Sequence, residues 1–245
     1  SEQRVAALEA TVAAADGRGI VFTGASGTIV DQVIADLRVM DGRGAAAALV
    51  PPPFYYALPT SGVVAFYERL ADASPVPILL YNIPERTKVT IPLDAVARLA
   101  THPNIVGIKD SSGDFGYFTR LTRLAARTKP FTVLTGSDSL LAASLFVGGH
   151  GLIGAGVNVL PEVAVALYQA FRAGNHAEAI VFQYRLSDAV DACRIGTFPA
   201  AYKAQLVLKG LCGPSMTLPI PPLGDDDLAV LRTALEGLGA LAVGV

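Results

Sequence analysis

Cysteine and charge are both scarce in this chain. Its 245 residues include only two cysteines, Cys193 and Cys212, too few for a disulfide framework. Three histidines accompany them, and no Cys/His spacing matches a metal site. Charged residues make up 16% of the chain and the net charge is -2, so there is no basic excess to hold nucleic acid or an anionic membrane surface. Long apolar runs are missing as well: each is interrupted by Gly, Pro or a charge before it reaches bilayer length. The first residues carry neither the charged n-region nor the apolar h-region of a secretory leader. These absences set the expectation of a cytoplasmic protein with no metal, nucleic-acid or membrane partner.

What is abundant is apolar residues, 52% of the chain, with 24 glycines and 16 prolines. That mixture suits one large core with many tight connections. Short β-rich runs recur about every 25 to 30 residues, the length of a βα unit. They are Gly19–Thr23, Ala46–Val50, Val76–Tyr81, Ile105–Lys109, Thr132–Thr135 and Gly151–Val157. Each is apolar almost throughout, as expected of strands covered on both faces. Helical periodicity lies between them at Ser61–Ala73, Leu93–Ala100 and Phe115–Ala126. Past Pro161 the pattern is helical only, over Glu162–Ala173, His176–Cys193, Phe198–Leu211 and Asp225–Leu238. An α/β fold follows, either a (β/α)8 barrel or an open doubly wound sheet. The stretch Gly24-Ala25-Ser26-Gly27 is too short for a dinucleotide fingerprint. A barrel is therefore favoured, although six strands are counted rather than eight.

In a barrel the active site lies at the C-terminal strand ends. Those ends read Thr23-Gly24, Pro53-Phe54-Tyr55-Tyr56, Tyr81-Asn82-Ile83-Pro84, Lys109-Asp110-Ser111, Thr135-Gly136-Ser137-Asp138 and Gly154-Ala155-Gly156-Val157-Asn158. No carboxylate pair of the glycosidase kind is among them. The conspicuous residue is Lys109. Burial at a strand end is one way a protein turns a lysine amine into a nucleophile toward carbonyls. Such an amine condenses with a ketone, and the resulting iminium makes the adjacent carbon acidic. A phenol one strand away, Tyr81, suits the proton relay this requires. Backbone N–H groups of small residues suit the carboxylate of a 2-oxo acid.

The segments Tyr81–Thr87, Gly107–Asp114 and Thr135–Asp138 resemble the dihydrodipicolinate synthase / N-acetylneuraminate lyase superfamily. So do Pro52–Tyr56, Pro199–Lys203 and Leu218–Pro219, in order over essentially the whole chain. The resemblance implies a TIM (β/α)8 barrel with a C-terminal helical extension and a class I pyruvate aldolase or synthase. By it, residues 1–161 form the barrel, strands three to eight of the family pattern. Residues 162–245 form the last barrel helix and the extension. Lys109 would form a Schiff base with pyruvate, with no cofactor, and Tyr81 would relay protons. Tyr56 matches a tyrosine that reaches a neighbouring subunit's site, implying a homodimer or homotetramer. Arg86 matches an arginine that holds the second substrate's carboxylate, and Gly136 and Ile153 match positions lining the pyruvate pocket. The substrates implied are a 2-oxo acid and an aldehyde, L-aspartate-4-semialdehyde in the synthase branch. A catabolic aldolase, dehydratase or hydratase-aldolase is the alternative, as is a degenerate barrel that binds 2-oxo acids without turnover.

Two departures from the family pattern stand out. Its first two strands, the second ending in Thr-Thr-Gly-Glu, have no counterpart, because Ser1-Glu2-Gln3-Arg4 looks like the helix after that motif. Lys88 stands where a glycine is usual. Other residues have plainer readings: Asp110, Asp114 and Asp138 as helix caps, Lys203 as structural, both cysteines as buried or inert, and the three histidines without a role.

Overall fold

The structure is a computed structural model that describes residues 2–241. Two compact units divide it. The first runs to Gly136 and takes in Val147–His150; the second holds Ser137–Phe146 and everything from Gly151 onward.

The first unit alternates helix and strand as the apolar runs dictate. It opens with α1 (Glu2–Ala15), β1 (Phe22–Gly24), α2 (Val30–Val39), β2 (Ala47–Val50) and α3 (Thr60–Ala73). It continues with β3 (Ile78–Asn82), α4 (Pro84–Thr87), α5 (Leu93–Leu99), β4 (Ile105–Asp110), α6 (Phe115–Ala125) and β5 (Thr132–Thr135). The five strands pair in chain order and all in parallel, the outcome of repeated right-handed βαβ crossovers. The curled sheet is covered by its helices: Ile78, Leu80 and Ile108 share one core cluster with Val63, Tyr67, Leu70, Val96, Leu99, Phe118 and Leu121. Burying a side chain of this size contributes about 1.5–3 kcal/mol.

Turn chemistry sets several boundaries. Pro84 opens α4 at the position where its missing N–H costs nothing. Asp114 caps α6, its carboxylate accepting the Tyr117 N–H at 2.9 Å, as expected for Asp at a helix start. Helix α1 agrees with the helix read from Ser1-Glu2-Gln3-Arg4, whereas α2 was not anticipated. The buried stripe of α2, Val33, Ile34 and Leu37, is a signal the sequence carried.

The second unit holds α7 (Leu141–Phe146), β6 (Gly151–Leu152), α8 (Pro161–Arg172), α9 (His176–Ala192), α10 (Ala200–Leu208) and α11 (Asp225–Gly237). Helix α7 has only 6 residues, fewer than two turns, so it shows little periodicity. The expected strand Gly151–Val157 shortens to Gly151–Leu152, and the chain then winds into a 3-10 turn at Gly156–Asn158. Two glycines explain the change. A Cβ at Gly154 or Gly156 would press against the buried Asp138 carboxylate, at 2.2 and 2.9 Å. Around this turn Leu160, Leu167, Leu186, Leu231 and Leu235 form the unit's own core.

Candidate active site

The site is assembled at the C-terminal ends of β3 and β4. Parallel pairing sets Tyr81 opposite Lys109 and Asn82 opposite Asp110. Because successive side chains on a strand point to opposite faces, Tyr81 and Lys109 share one face and Asn82 and Asp110 the other. On the first face the Lys109 Nζ lies 4.2 Å from the centre of the Tyr81 ring, within the range of a cation–π contact. Lys109 is only 8% exposed. Gly107, two residues earlier on that face, is sterically required: a Cβ there would lie 2.3 Å from the Thr132 carbonyl oxygen.

Gly136 completes this cluster. Its N–H donates to the Asp110 carbonyl at 2.7 Å, which continues the sheet past β5. A Cβ at Gly136 would stand 1.8 Å from the Ser111 hydroxyl and 2.9 Å from Lys109 Cε. Any side chain there would overlap the Ser111 hydroxyl and press on the lysine.

Behind the strand ends lies a buried polar network. Asn82 is fully buried and Asp110 is 4% exposed. Asn82 Nδ2 donates to Asp110 Oδ1 at 2.8 Å, and Asn82 Oδ1 accepts the Ile91 N–H at 3.0 Å. The Ser112 N–H and hydroxyl also donate to Asp110, at 3.2 and 3.0 Å. Burial raises the Asp110 carboxyl above the usual carboxylate range, and these donors oppose that rise. The Tyr117 hydroxyl donates to the Ile91 carbonyl at 2.6 Å. Burial, then the nearby Asp110 charge, pushes its pKa well above that of an ordinary phenol. Asp110 is therefore no helix cap, contrary to expectation: it ends a strand, and its carboxylate ties strands together.

Asp138 corrects the sequence reading too. It begins a 3-10 turn whose N-cap is Ser137, and it sits buried against Gly154 and Gly156. Burial raises its carboxyl above the usual range, while backbone N–H groups from Gly156 and Val157 act the other way. Its Oδ1 has no hydrogen-bond partner among the described residues. Cys193 is buried and Cys212 is exposed.

Among the predicted site residues, Tyr81, Lys109 and Gly136 thus come together. Arg86 lies on α4, half-exposed, with its guanidinium 3.3 Å from the Glu85 carboxylate. Tyr56 is 74% exposed on the loop after β2 and stacks edge-on with Tyr55, ring centres 4.9 Å apart. Ile153 follows β6 in the second unit. The Asn82–Asp110 network escaped the sequence reading, although Asn82 and Asp110 both sit one residue past a singled-out strand-end residue. Among the described residues no group of three His, Cys, Asp or Glu side chains could hold a metal ion, and no helix is long and apolar enough to cross a membrane.

A model of the dihydrodipicolinate synthetase family matches residues 1–238. The chain belongs to that family. Among curated family members, it is 35% identical over 238 residues to the 4-hydroxy-tetrahydrodipicolinate synthase of Methanoculleus marisnigri, covering 97% of this chain and 81% of that one. It is 34% identical over 239 residues to an uncharacterized DapA-like lyase of Halobacterium salinarum, covering 98% and 78%. Solved family structures agree. The dihydrodipicolinate synthase of Thermotoga maritima superposes with a TM-score of 0.93 at 27% identity, over 99% of this chain and 82% of that one. YagE, a prophage protein of this family from E. coli K12 solved with pyruvate, gives 0.91 at 29% identity, over 98% and 82%. The fold is that of the family, a parallel curled sheet with C-terminal helices, and the chain is a lyase of the class I aldolase kind.

Proposed function

We propose that this enzyme condenses pyruvate, held as a Lys109 Schiff base, with an aldehyde that carries a carboxylate, L-aspartate-4-semialdehyde being the best fit. The observation that carries this reading is the Lys109 ammonium, nearly buried and 4.2 Å from the Tyr81 ring, at a strand end where Gly136 leaves it room. The Lys109 amine adds to C2 of pyruvate and water leaves, which gives an iminium. Loss of a methyl proton yields an enamine, and its carbon attacks the aldehyde. Tyr81 relays the protons. The Lys109 iminium supplies the electron sink, so no organic cofactor or metal takes part. Gly136 lines the pyruvate pocket in this reading.

Arg86 is assigned to the aldehyde's carboxylate, for which a guanidinium fork is well shaped. Tyr56 is assigned to a neighbouring subunit's site, which makes a homodimer or a homotetramer the working unit. Its exposure and the left-handed backbone of Tyr55, φ 85°, support an aromatic pair held ready for a partner, because strain of this kind collects at functional sites. The cytoplasm is the setting in this reading.

Borohydride reduction in the presence of pyruvate, followed by peptide mass spectrometry, tests the mechanism. A pyruvyl adduct on Lys109 is expected; an unmodified Lys109 would overturn it. Arg86→Ala then tests the second substrate. It should raise KM for the aldehyde by roughly 10-fold or more, as for loss of a charged hydrogen bond worth about 1.5–3 kcal/mol, and leave KM for pyruvate nearly unchanged. Equal effects on both would remove Arg86 from that role.

A further inference from the structure

We infer that Asn82 and Asp110 form a positioning pair that sets the geometry of the Lys109 and Tyr81 side chains from behind. The inference rests on the Schiff-base reading and adds to it two residues that touch no substrate.

Asn82 and Asp110 follow Tyr81 and Lys109 directly and stand opposite each other in the same register. The 2.8 Å bond from Asn82 Nδ2 to Asp110 Oδ1 therefore joins the two strand ends one residue beyond the working pair. Neither partner has slack. Asn82 Oδ1 is engaged by the Ile91 N–H, so the bend that follows α4 is tied to the same point. Asp110 is held by Ser112 through both carboxylate oxygens, which ties in the loop before α6. The main chain repeats the pattern: the Ser111 N–H donates to the Asn82 carbonyl at 2.8 Å, and the Gly136 N–H donates to the Asp110 carbonyl at 2.7 Å. Two strand ends and two loops thus converge on two buried side chains, and the third strand end joins through the Asp110 main chain. A buried polar network with its bonds made is rigid and specific, and one with a missing partner is costly. Catalytic geometry is demanding enough that a shift of about 1 Å costs on the order of 100-fold in rate.

The alternative is a network that holds the fold without governing the lysine. Three variants separate the two. Asp110→Asn keeps the shape: the carbonyl of the new amide accepts from Asn82, and its nitrogen donates to the Ser112 hydroxyl. Asn82→Asp sets two carboxylates against each other in a buried space. The exchange Asn82→Asp with Asp110→Asn restores the pair in reverse. The carboxylate moved to the β3 end then accepts both from the amide moved to the β4 end and from the Ile91 N–H. For each variant shown to be folded by near-UV circular dichroism, the rate of pyruvate trapping on Lys109 is measured at saturating pyruvate, beside the apparent affinity for pyruvate. Asn82→Asp should slow trapping at least 10-fold with affinity changed less than 3-fold. Asp110→Asn should slow it 2- to 5-fold, and the exchange should recover to within 3-fold of the parent. If Asn82→Asp does not fold, a slowed Asp110→Asn and a recovered exchange still support the pair. Folded variants that trap at the parent rate, or an exchange no better than the slower single variant, would overturn it. A parent chain that traps no pyruvate would instead overturn the Schiff-base reading, and the pair's role with it.

Discussion

Gly136 shows how much a single residue decides here. A methyl group at that position falls 2.9 Å from Lys109 Cε and 1.8 Å from the Ser111 hydroxyl, and the backbone cannot retreat because its N–H is bonded to Asp110. Gly136→Ala is therefore expected to slow Schiff-base formation about 100-fold, the scale of a shift near 1 Å, while urea midpoints move far less; parallel trapping and unfolding measurements check this. Asp138 gives a pH effect. Its folded carboxyl binds a proton more tightly than an ordinary carboxyl, so stability falls as pH rises through the window above the usual carboxylate range. Asp138→Asn removes that loss. The variant should gain stability relative to the parent at about pH 7.5 and gain less at about pH 4.5, read from urea midpoints. That Lys109, Tyr81 and Gly136 fall at strand ends was legible in the sequence, because each closes or follows a short apolar run of strand character. Asp110 and Asp138 were misread, since whether a carboxylate caps a helix or ties strands together depends on partners far along the chain.

At the scale of elements, the turn after α4 is the informative one. Lys88 closes that helix in the left-handed region, φ 61°, where a side chain costs roughly 1–2 kcal/mol. The glycine expected by family resemblance would fit without strain, and the lysine makes the same turn at that cost. Lys88→Gly should raise stability by about 0.5–1 kcal/mol, the strain relief less the added freedom of the unfolded chain. Lys88→Val should lower it by about 1–2 kcal/mol. Urea unfolding at constant m checks both. One helix with a regular apolar stripe was found nearly to the residue, Phe115–Ala126 being expected for Phe115–Ala125, while α2, which carries such a stripe too, was missed. The sixth strand was not, because apolar continuity over Gly151–Val157 cannot show that Gly154 and Gly156 approach a buried carboxylate too closely to stay extended.

At the scale of the whole molecule the proposal concerns assembly. If Tyr56 completes a neighbouring subunit's site, a mixture of Lys109→Ala and Tyr56→Phe chains, each nearly inactive alone, should regain up to about a quarter of parent activity through hybrid sites assembled from the intact halves; no recovery in a mixture whose subunits exchange would place Tyr56 in its own subunit's site. The family and its lyase chemistry follow from short local motifs, and the sequence by itself determined them. Alternating apolar runs and helical stripes are properties of neighbouring residues, so the α/β class was equally readable. Only the tertiary structure decided that Tyr81 and Lys109 lie in register on one face, with Asn82 and Asp110 joined behind them. Register between these strands is settled by packing and hydrogen bonding between residues 28 positions apart in the chain, beyond the reach of a motif within one strand.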